Sequence, residues 1–401
     1  MQLRYNYRLY PTPGQRRALA RAFGCARAVF NDGLRAREAA HQAGEPYLTD
    51  AQLSARLTAL KATPGRAWLN EVSAVVLQQS LADLNTAYRN FFTTIKGTRK
   101  GPKMDKPRFR SRKDHRQAIR FTANARFKIL PSGKLRLPKI GDLPVRWSRP
   151  LPSKPSSVTI VKDSAGRYFA SFVVETGPGT LPEADAVVGI DLGLKHFAVL
   201  SDGRKITAPR FLRRAEKLLK RRQRELSRKQ KGSANGYKAR VKVARAHARV
   251  ADARRDFHHQ LSTVLVRDNQ AVAVEDLAVK GLAQTRMAKS VHDAGWSAFV
   301  AMLEYKAGLY GREFHRIGRF TPTSQTCCLC GVKDGPKPLH VRAWQCRSCG
   351  AHLDRDINAA VNVAKAAGLA VIACRAQVRP DLVPAQRVEA GTHPKSHRQA
   401  A

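Results

Sequence analysis

Three acidic side chains sit where this chain has little structural reason to put them. Asp191 ends the apolar run of VVGIDLG, Glu275 ends that of NQAVAVEDL, and Asp356 opens the helix-like DRDINAAVNVAK. A carboxylate at the end of a buried strand is costly unless a cation compensates it. The glycine-containing turn after Asp191 leaves room for a ligand backbone to approach. Three carboxylates gathered together would raise one another's pKa unless hard cations lie between them. Two Mg²⁺ ions meet that demand and suit phosphodiester hydrolysis, one activating water and the other stabilising the leaving oxygen. Each acid also has a plainer reading as a cap or surface residue. Asp354 competes with Asp356, and Asp276 with Glu275. Two details favour the first choices: the alternating run ends on Glu275, and Asn358 fits a helix beginning at Asp356.

A second constellation is metal-binding in its spacing. Cys327 and Cys330 form one C-x2-C pair, Cys346 and Cys349 another, with fifteen residues between the pairs. Each pair turns tightly enough to give two thiolates to one tetrahedral Zn²⁺. A closed four-thiolate site is structural, so no catalysis is assigned to it. Cys328 makes the first pair read CCLC and breaks the two-residue spacing as a ligand; His340 and His352 are treated as bystanders. The odd remainder, Cys25, Cys328 and Cys374, fits reduced thiols better than disulfides.

The composition limits what such sites act on. Lys and Arg number 73 against 30 acids, a net charge of +43 over 401 residues. Such a surface repels itself unless a polyanion neutralises it, which points to nucleic acid. No single amphipathic helix carries the excess, so a membrane surface is the weaker partner. No stretch reaches the roughly 18 apolar residues of a spanning helix, and AAGLAVIAC is about half that. The start, MQLRYNYRLYPTPGQ, has charges where a signal peptide needs an apolar core, so a cytoplasmic protein is expected. Metal-dependent cleavage of nucleic acid is the chemistry that joins the acids to the charge.

The elements that must position these residues can be read from periodicity. QLRYNYRLY alternates as a strand, and Pro11 and Pro13 follow it. From Thr12 to about Thr98 apolar residues recur at three and four residue steps, giving a helical domain. The segment KGTRKGPKMDKPRFRSRKDHR is punctuated by Pro and Gly and cannot be core; it is expected to lie on phosphates through Lys100, Lys103, Lys106, Arg108 and Arg110. Strand signals return at 118 to 175 in AIRFTANARFKIL, KLRLP, DLPVRW, SSVTIVKD and YFASFVVE. They suggest a small barrel joined by the opening strand, with the helical domain inserted between. TGPGTLPEA reads as a linker. Next come VVGIDLG and AVLSDG as strands, then a basic helical region from about Pro209 to Asp268, folded near KGSANG. Arg204 to Arg255 holds 20 Lys or Arg against three acids; Arg213, Arg214, Lys220 and Arg221 are its candidate phosphate contacts. AVAVED is a further strand, GWSAFVAMLEYKAGLYG a helix and REFHRIG a strand. Tyr5, Tyr7, Tyr10, Phe91 and Phe92 could stack on bases, although core is the commoner role of such residues.

Several of these motifs together resemble one family. IDLG, VED, TSQTCCLCG, WQCRSCG and DRDINAAVNVA, in this order, look like the RuvC-like nuclease of the TnpB family, the transposon-encoded relatives of type V CRISPR effectors. YRLYPTPGQ, GCARAVFNDGL, KPRFRS and DAGWSAF resemble it too, so the likeness spans nearly the whole chain apart from the tail. It implies an α+β multidomain protein. A wedge-type β-barrel (1–10 and 118–181) would be interrupted by a helical recognition domain (11–117). An RNase H-like (RuvC) nuclease (182–319 and 351–367) would be interrupted by a zinc ribbon (320–350). The basic tail (368–401), outside the likeness, is polar, Pro-containing and aperiodic and is expected to be disordered. By similarity, Asp191, Glu275 and Asp356 would be the catalytic, Mg²⁺-binding triad, and Cys327, Cys330, Cys346 and Cys349 the zinc ligands. The activity implied is RNA-guided cleavage of double-stranded DNA. The guide would come from the transposon end, and a short motif beside the target would be required. The spread of positive charge then suits a channel that holds guide RNA and heteroduplex by phosphate and shape. A miniature CRISPR effector, a nuclease-inactive guided repressor and a strand-joining transposase are the alternatives. The presence of all three acids speaks against the repressor.

Overall fold

The structure is a computed structural model in which residues 1–114, 116–177, 179–338 and 340–369 are described. The chain divides into two units, Met1–Gly177 and Pro178–Ala401.

In the first unit, β1 (Gln2–Leu9) alternates as expected, burying Tyr7 and Leu9. Three helices follow: α1 (Pro13–Gln42), α2 (Asp50–Ala62) and α3 (Ala74–Ile95). Thr12 and Thr49 start the first two through reciprocal capping with Gln15 and Gln52, so a Thr-x-x-Gln spacing marks each N-terminus. Helix α1 packs on α3, where Gly33 lets Leu84 and Leu81 come within 3.0 and 3.2 Å of the place a Cβ would occupy. The chain then returns to strands: β2 (Gln117–Thr122), β3 (Lys128–Ile129), β4 (Leu135–Leu137), β5 (Gly141–Leu143), β6 (Val145–Arg146), β7 (Ser157–Lys162) and β8 (Tyr168–Glu175). Strand β1 pairs along its whole length with β8, in a sheet ordered β2-β7-β8-β1-β6. The helices are therefore inserted between two strands of one sheet. Strands β3, β4 and β5 form a separate small sheet. AIRFTANARFKIL is not one strand: Ala123–Ala125 make a single 3-10 turn, and Arg126 takes a left-handed φ of 56°. Of the aromatics weighed for stacking, Tyr7 is core, whereas Tyr10 and Phe92 are exposed.

The second unit begins with β9 (Val187–Asp191), β10 (His196–Leu200) and β11 (Lys205–Thr207). The basic region becomes α4 (Phe211–Ser227) and α5 (Ala234–Asp268), which pack on each other. Then come β12 (Ala271–Glu275), α6 (Val279–Leu282), α7 (Ala288–Ala294), α8 (Trp296–Tyr310), β13 (Glu313–Ile317), β14 (Ala343–Gln345), β15 (His352–Asp354) and α9 (Arg355–Ala366). The sheet order is β11-β10-β9-β12-β13, with β9, β12 and β13 parallel. Successive strand residues face opposite sides. Val188, Ile190, Val272 and Val274 join the α5 and α8 core, while Ala273 packs with Val363 of α9. Covering both faces explains the nearly unbroken apolar runs of β9 and β12.

Gly189 is decisive for this packing. A Cβ there would lie 2.1 Å from the Ala360 carbonyl oxygen and 2.6 Å from the Ala364 nitrogen, both backbone atoms of α9. Gly189→Ala is expected to push α9 off the sheet, lowering thermal stability by the equivalent of roughly 3 kcal/mol or more, at the upper end of overpacking costs. A variant melting within a degree of the parent would refute this.

Gly368 and Leu369, counted at first with the tail, instead close α9. The Leu369 N–H donates to the Ala364 oxygen, and its side chain packs beside Val363. The remaining tail, 370–401, lies outside the described residues. Among the described residues, no helix is long and apolar enough to cross a membrane.

Candidate carboxylate centre and thiolate cluster

Asp191 and Glu275 are the last residues of β9 and β12, neighbouring parallel strands in register from Val187 and Ala271 onward. Both carboxylates thus leave the sheet at the carboxyl ends of adjacent strands, a usual place for a ligand crevice in α/β sheets. Asp356 stands in the first turn of α9, which Gly189 allows to lie directly on β9. All three line one cavity of about 670 Å³. Burial first, then the negative charges of Asp356 and Glu275, push the Asp191 carboxyl up to about 7. Arg355 and Arg342 oppose the shift. Burial and then Asp276 raise Glu275. The site concentrates negative charge in a partly desolvated place, which a divalent cation would relieve.

The two competing acids are engaged elsewhere. Asp354 is the N-cap of α9: its Oδ1 accepts the Asp356 and Ile357 N–H groups, both at 3.0 Å, and its Oδ2 pairs with Lys205. Asp276 pairs with Arg319 at 2.7 Å. Neither lines the cavity. The sequence reasoning passed over several other lining groups. Arg342, from the segment between the cysteine pairs, reaches the Asp356 carboxylate at 3.1 Å. The Trp296 indole N–H and His196 Nδ1 are buried at this cavity without a hydrogen-bond partner among the described residues. Phe320, on the same lining, is 93% exposed. The one sequence signal for the close packing here was a glycine inside an otherwise buried strand, VVGID.

The four predicted thiolates converge. Their sulfurs all lie within 4.8 Å of one another, with Cys327 to Cys349 at 3.7 Å and Cys330 to Cys346 at 3.6 Å. A tetrahedron with metal–sulfur bonds of about 2.3 Å has edges of about 3.8 Å, so the donor set fits zinc. Each pair closes through the same turn, Gly331 N–H to the Cys327 oxygen and Gly350 N–H to the Cys346 oxygen, both 2.9 Å, with left-handed φ angles of 75° and 69°. The Val332 backbone N–H is the main influence holding Cys330 down to about 7, whereas burial pushes Cys327 up to about 12. Cys25 is a free thiol, but Cys328 is disulfide-bonded, so reading it as a reduced thiol is corrected. Cys374 lies outside the described residues.

Helix α9 is tied to the first cysteine pair. Asn358 Nδ2 donates to the Thr323 and Thr326 oxygens at 3.2 and 2.8 Å, and Asn362 Nδ2 donates to the same oxygens at 2.8 and 2.6 Å. Asn358 Oδ1 accepts the Cys328 N–H at 2.8 Å. Two buried amides thus join the metal-type cluster to the helix that carries Asp356.

The candidate phosphate contacts differ in availability. Lys100 and Lys103 are exposed in a segment without helix or strand. Lys106 and Arg108 pair with Glu38 and Asp105, each at 3.4 Å. Arg110 is held within the unit, its guanidinium 3.8 Å over the Phe30 ring and 3.2 Å from Asp83. Arg213, Arg214 and Arg221 are exposed on α4, and Lys220 pairs with Glu216 at 2.9 Å.

Comparison with known proteins places the chain in a family. Residues 171–286 match the OrfB_IS605 family, described as "Probable transposase", residues 296–363 match the Cas12f1-like TNB domain, and residues 1–46 match a helix-turn-helix domain of OrfB_IS605 proteins. A Streptomyces pristinaespiralis protein named "Putative RNA-guided DNA endonuclease" is 45% identical over 380 residues, 94% of this chain and 92% of the relative. An Escherichia coli K12 protein of the same name, with the suffix InsQ, is 31% identical over 392 residues, 94% of each chain. Among solved structures, Cas12f1 from its complex with sgRNA and target DNA aligns with a TM-score of 0.51 at 15% identity, covering 86% of this chain and 81% of that one, a likeness of fold. With near-complete coverage by these relatives, the chain belongs to the TnpB family of IS605 OrfB-type proteins.

Proposed function

We propose that this protein is a transposon-encoded, RNA-guided DNA endonuclease. The observation that carries the reading is the convergence of Asp191, Glu275 and Asp356, from three elements far apart in the chain, on one cavity that Lys195, Lys333, Arg342 and Arg355 also line. On this reading residues 1–10 and 118–181 form the wedge-type barrel and 11–117 the recognition helices, and the mixed sheet with α9 is the RuvC-like nuclease. Asp191, Glu275 and Asp356 would hold two Mg²⁺ ions, and Cys327, Cys330, Cys346 and Cys349 one structural zinc. Bound Mg²⁺ would supply Lewis-acid activation and charge neutralisation at a phosphodiester. The chain's own part is to gather the carboxylates, present cations to phosphate oxygens and restrict water in the cavity. Arg342 balances Asp356 and stands ready to turn toward a substrate phosphate. Sequence choice falls to a guide RNA paired with the target, which frees the basic surface to bind by charge and shape.

The test is to express the protein from its locus, sequence the RNA that co-purifies, and assay Mg²⁺-dependent cutting of duplex DNA matched to that RNA beside varied flanking sequence. A single RNA species from the transposon end and guided cutting are expected. RNA-free integration of DNA would overturn the reading in favour of a strand-joining transposase, and RNA from a CRISPR array would assign the protein to the effectors.

A further inference from the structure

A second cavity in the Pro178–Ala401 unit, of about 380 Å³, adjoins the carboxylate centre and is separate from the chemistry assigned above. The two cavities share Gly193, Leu194 and Lys195, the turn that follows Asp191 between β9 and β10. Its walls are flat rings. Phe197 meets Phe257 edge-on at 5.0 Å, Phe257 meets Phe211 at 6.1 Å, and the His258 imidazole stacks on Phe197 at 5.4 Å. His258 Nε2 donates to the Ala294 oxygen at 2.9 Å. Burial pushes this histidine down to about 4, so near neutral pH it is an uncharged wall.

The lining carries four cationic residues, Lys195, Arg210, Arg213 and Arg254, and Arg213 Nη2 donates to the lining hydroxyl of Ser290 at 3.0 Å. The acid among the lining residues, Asp293, is buried and already engaged. It accepts the Leu212 and Arg213 N–H groups at 2.8 and 3.3 Å, capping α4 in place of Arg210, whose own side chain makes no cap. Arg254 Nη2 reaches the same carboxylate at 3.5 Å, but Arg254 Nε is buried without a hydrogen-bond partner among the described residues. A buried donor left unmatched is costly; this one lies beside Gly295, where a Cβ would come within 3.8 Å of it.

Aromatic walls and clustered guanidinium groups suit an aromatic ring joined to an anion. The volume lies at the small end of the range for ligand sites, about 300–1,000 Å³, enough for one base and too little for a duplex. A gap left by imperfect core packing would have no reason to gather four cations. We propose that this cavity receives one unstacked base of the single DNA strand whose backbone crosses the carboxylates, with an adjoining phosphate held by Arg254 and its neighbours. Stacking accounts for the rings, and charge-assisted hydrogen bonds for the arginines. The cavity would thereby set the register of the scissile phosphate, since the Gly193–Lys195 turn fixes its distance from Asp191. The proposal rests on the reading of the carboxylates as a nuclease centre.

The test uses the full chain with its co-purified RNA, in buffer without Mg²⁺ or chelator so that no cutting occurs and the thiolate cluster keeps its metal. The ligands are short single-stranded DNAs carrying 2-aminopurine at each position in turn. Wild-type protein is expected to quench the fluorophore at one position. Phe211→Ala, which removes a wall, and Ala208→Trp, which fills the cavity, should each abolish that quench and weaken binding about 10-fold, the scale of one lost base–aromatic stack. Phe211→Trp should retain both. An abasic nucleotide at that position should erase the difference between wild type and variants. Thermal unfolding of each variant identifies any that has lost its fold, and the remaining one decides. Unchanged quenching in Ala208→Trp, or equal weakening with the abasic DNA, overturns the proposal. Because no cutting is measured, a protein that never cleaves DNA can still show the quench, while an active nuclease lacking it removes only the pocket.

Discussion

Asp191→Ala should abolish DNA cleavage, by more than about 10³-fold in rate, while RNA and target affinity change by less than about 2-fold. Loss of a single preorganised donor in an active site already costs about 10²–10³ in kcat, and Asp191 would be a ligand to the cations themselves. The selectivity follows from its position: Asp191 ends a strand beneath a cavity and takes no part in the exposed basic surface. A second consequence concerns the protein without Mg²⁺. The folded carboxyl sits at about 7 against an ordinary value of 3.8, so between these pH values the folded state binds more protons than the unfolded. Stability therefore falls as pH rises through this window, and above it the full penalty applies. Asp191→Asn removes the penalty, so without Mg²⁺ it should melt above the parent at pH 8 and match it near pH 4. Cleavage by Asp191→Ala at a wild-type rate, measured in single-turnover assays, would remove this residue from the centre.

Cys346→Ser should cost both folding and chemistry. Metal binding and folding are coupled in such clusters, and structural zinc contributes about 10–16 kcal/mol of apparent binding free energy in isolated peptides. A loss on the order of several kcal/mol is therefore expected here, where the cluster is built into a larger core. A closed four-thiolate site with no catalytic part would by itself predict a loss of stability without a loss of chemistry. The bonds of Asn358 and Asn362 to the Thr323 and Thr326 oxygens change that expectation, because they join the first cysteine pair to α9 and so to Asp356. Hydrogen exchange over 355–366 should accelerate as zinc is lost, alongside a fall in melting temperature and in cleavage at saturating Mg²⁺. Equal melting curves with and without a zinc chelator would sink this coupling.

The strands that end in Asp191 and Glu275 were legible because a sheet covered on both faces needs unbroken apolar runs, and such runs stop visibly at a charge. The cysteines were legible because two thiolates on one tight turn require a fixed spacing. The helical region was legible from Thr12 onward in its three and four residue apolar steps, whereas its division into separate helices, with a capping pattern at Thr49, came from the structure. Short elements were not legible: β11 spans three residues, β14 and β15 three each, too few for a period. AIRFTANARFKIL read as one strand because its apolar alternation continues past a turn made only by backbone dihedrals.

What the amino-acid order determined by itself was therefore local: which segments alternate, where each acid ends a run, and which thiols share a turn. Only the tertiary structure decided between Asp356 and Asp354, and between Glu275 and Asp276. Each pair is adjacent or nearly so in the chain, and the choice depends on Lys205, Arg319 and the other partners brought in from distant segments. The same holds for Arg342 at Asp356 and for the ringed cavity beyond Gly193. The physical reason is that periodicity records which face of an element is buried, whereas the partner met on that face depends on contacts between residues far apart in the chain, such as the close approach of α9 to Gly189.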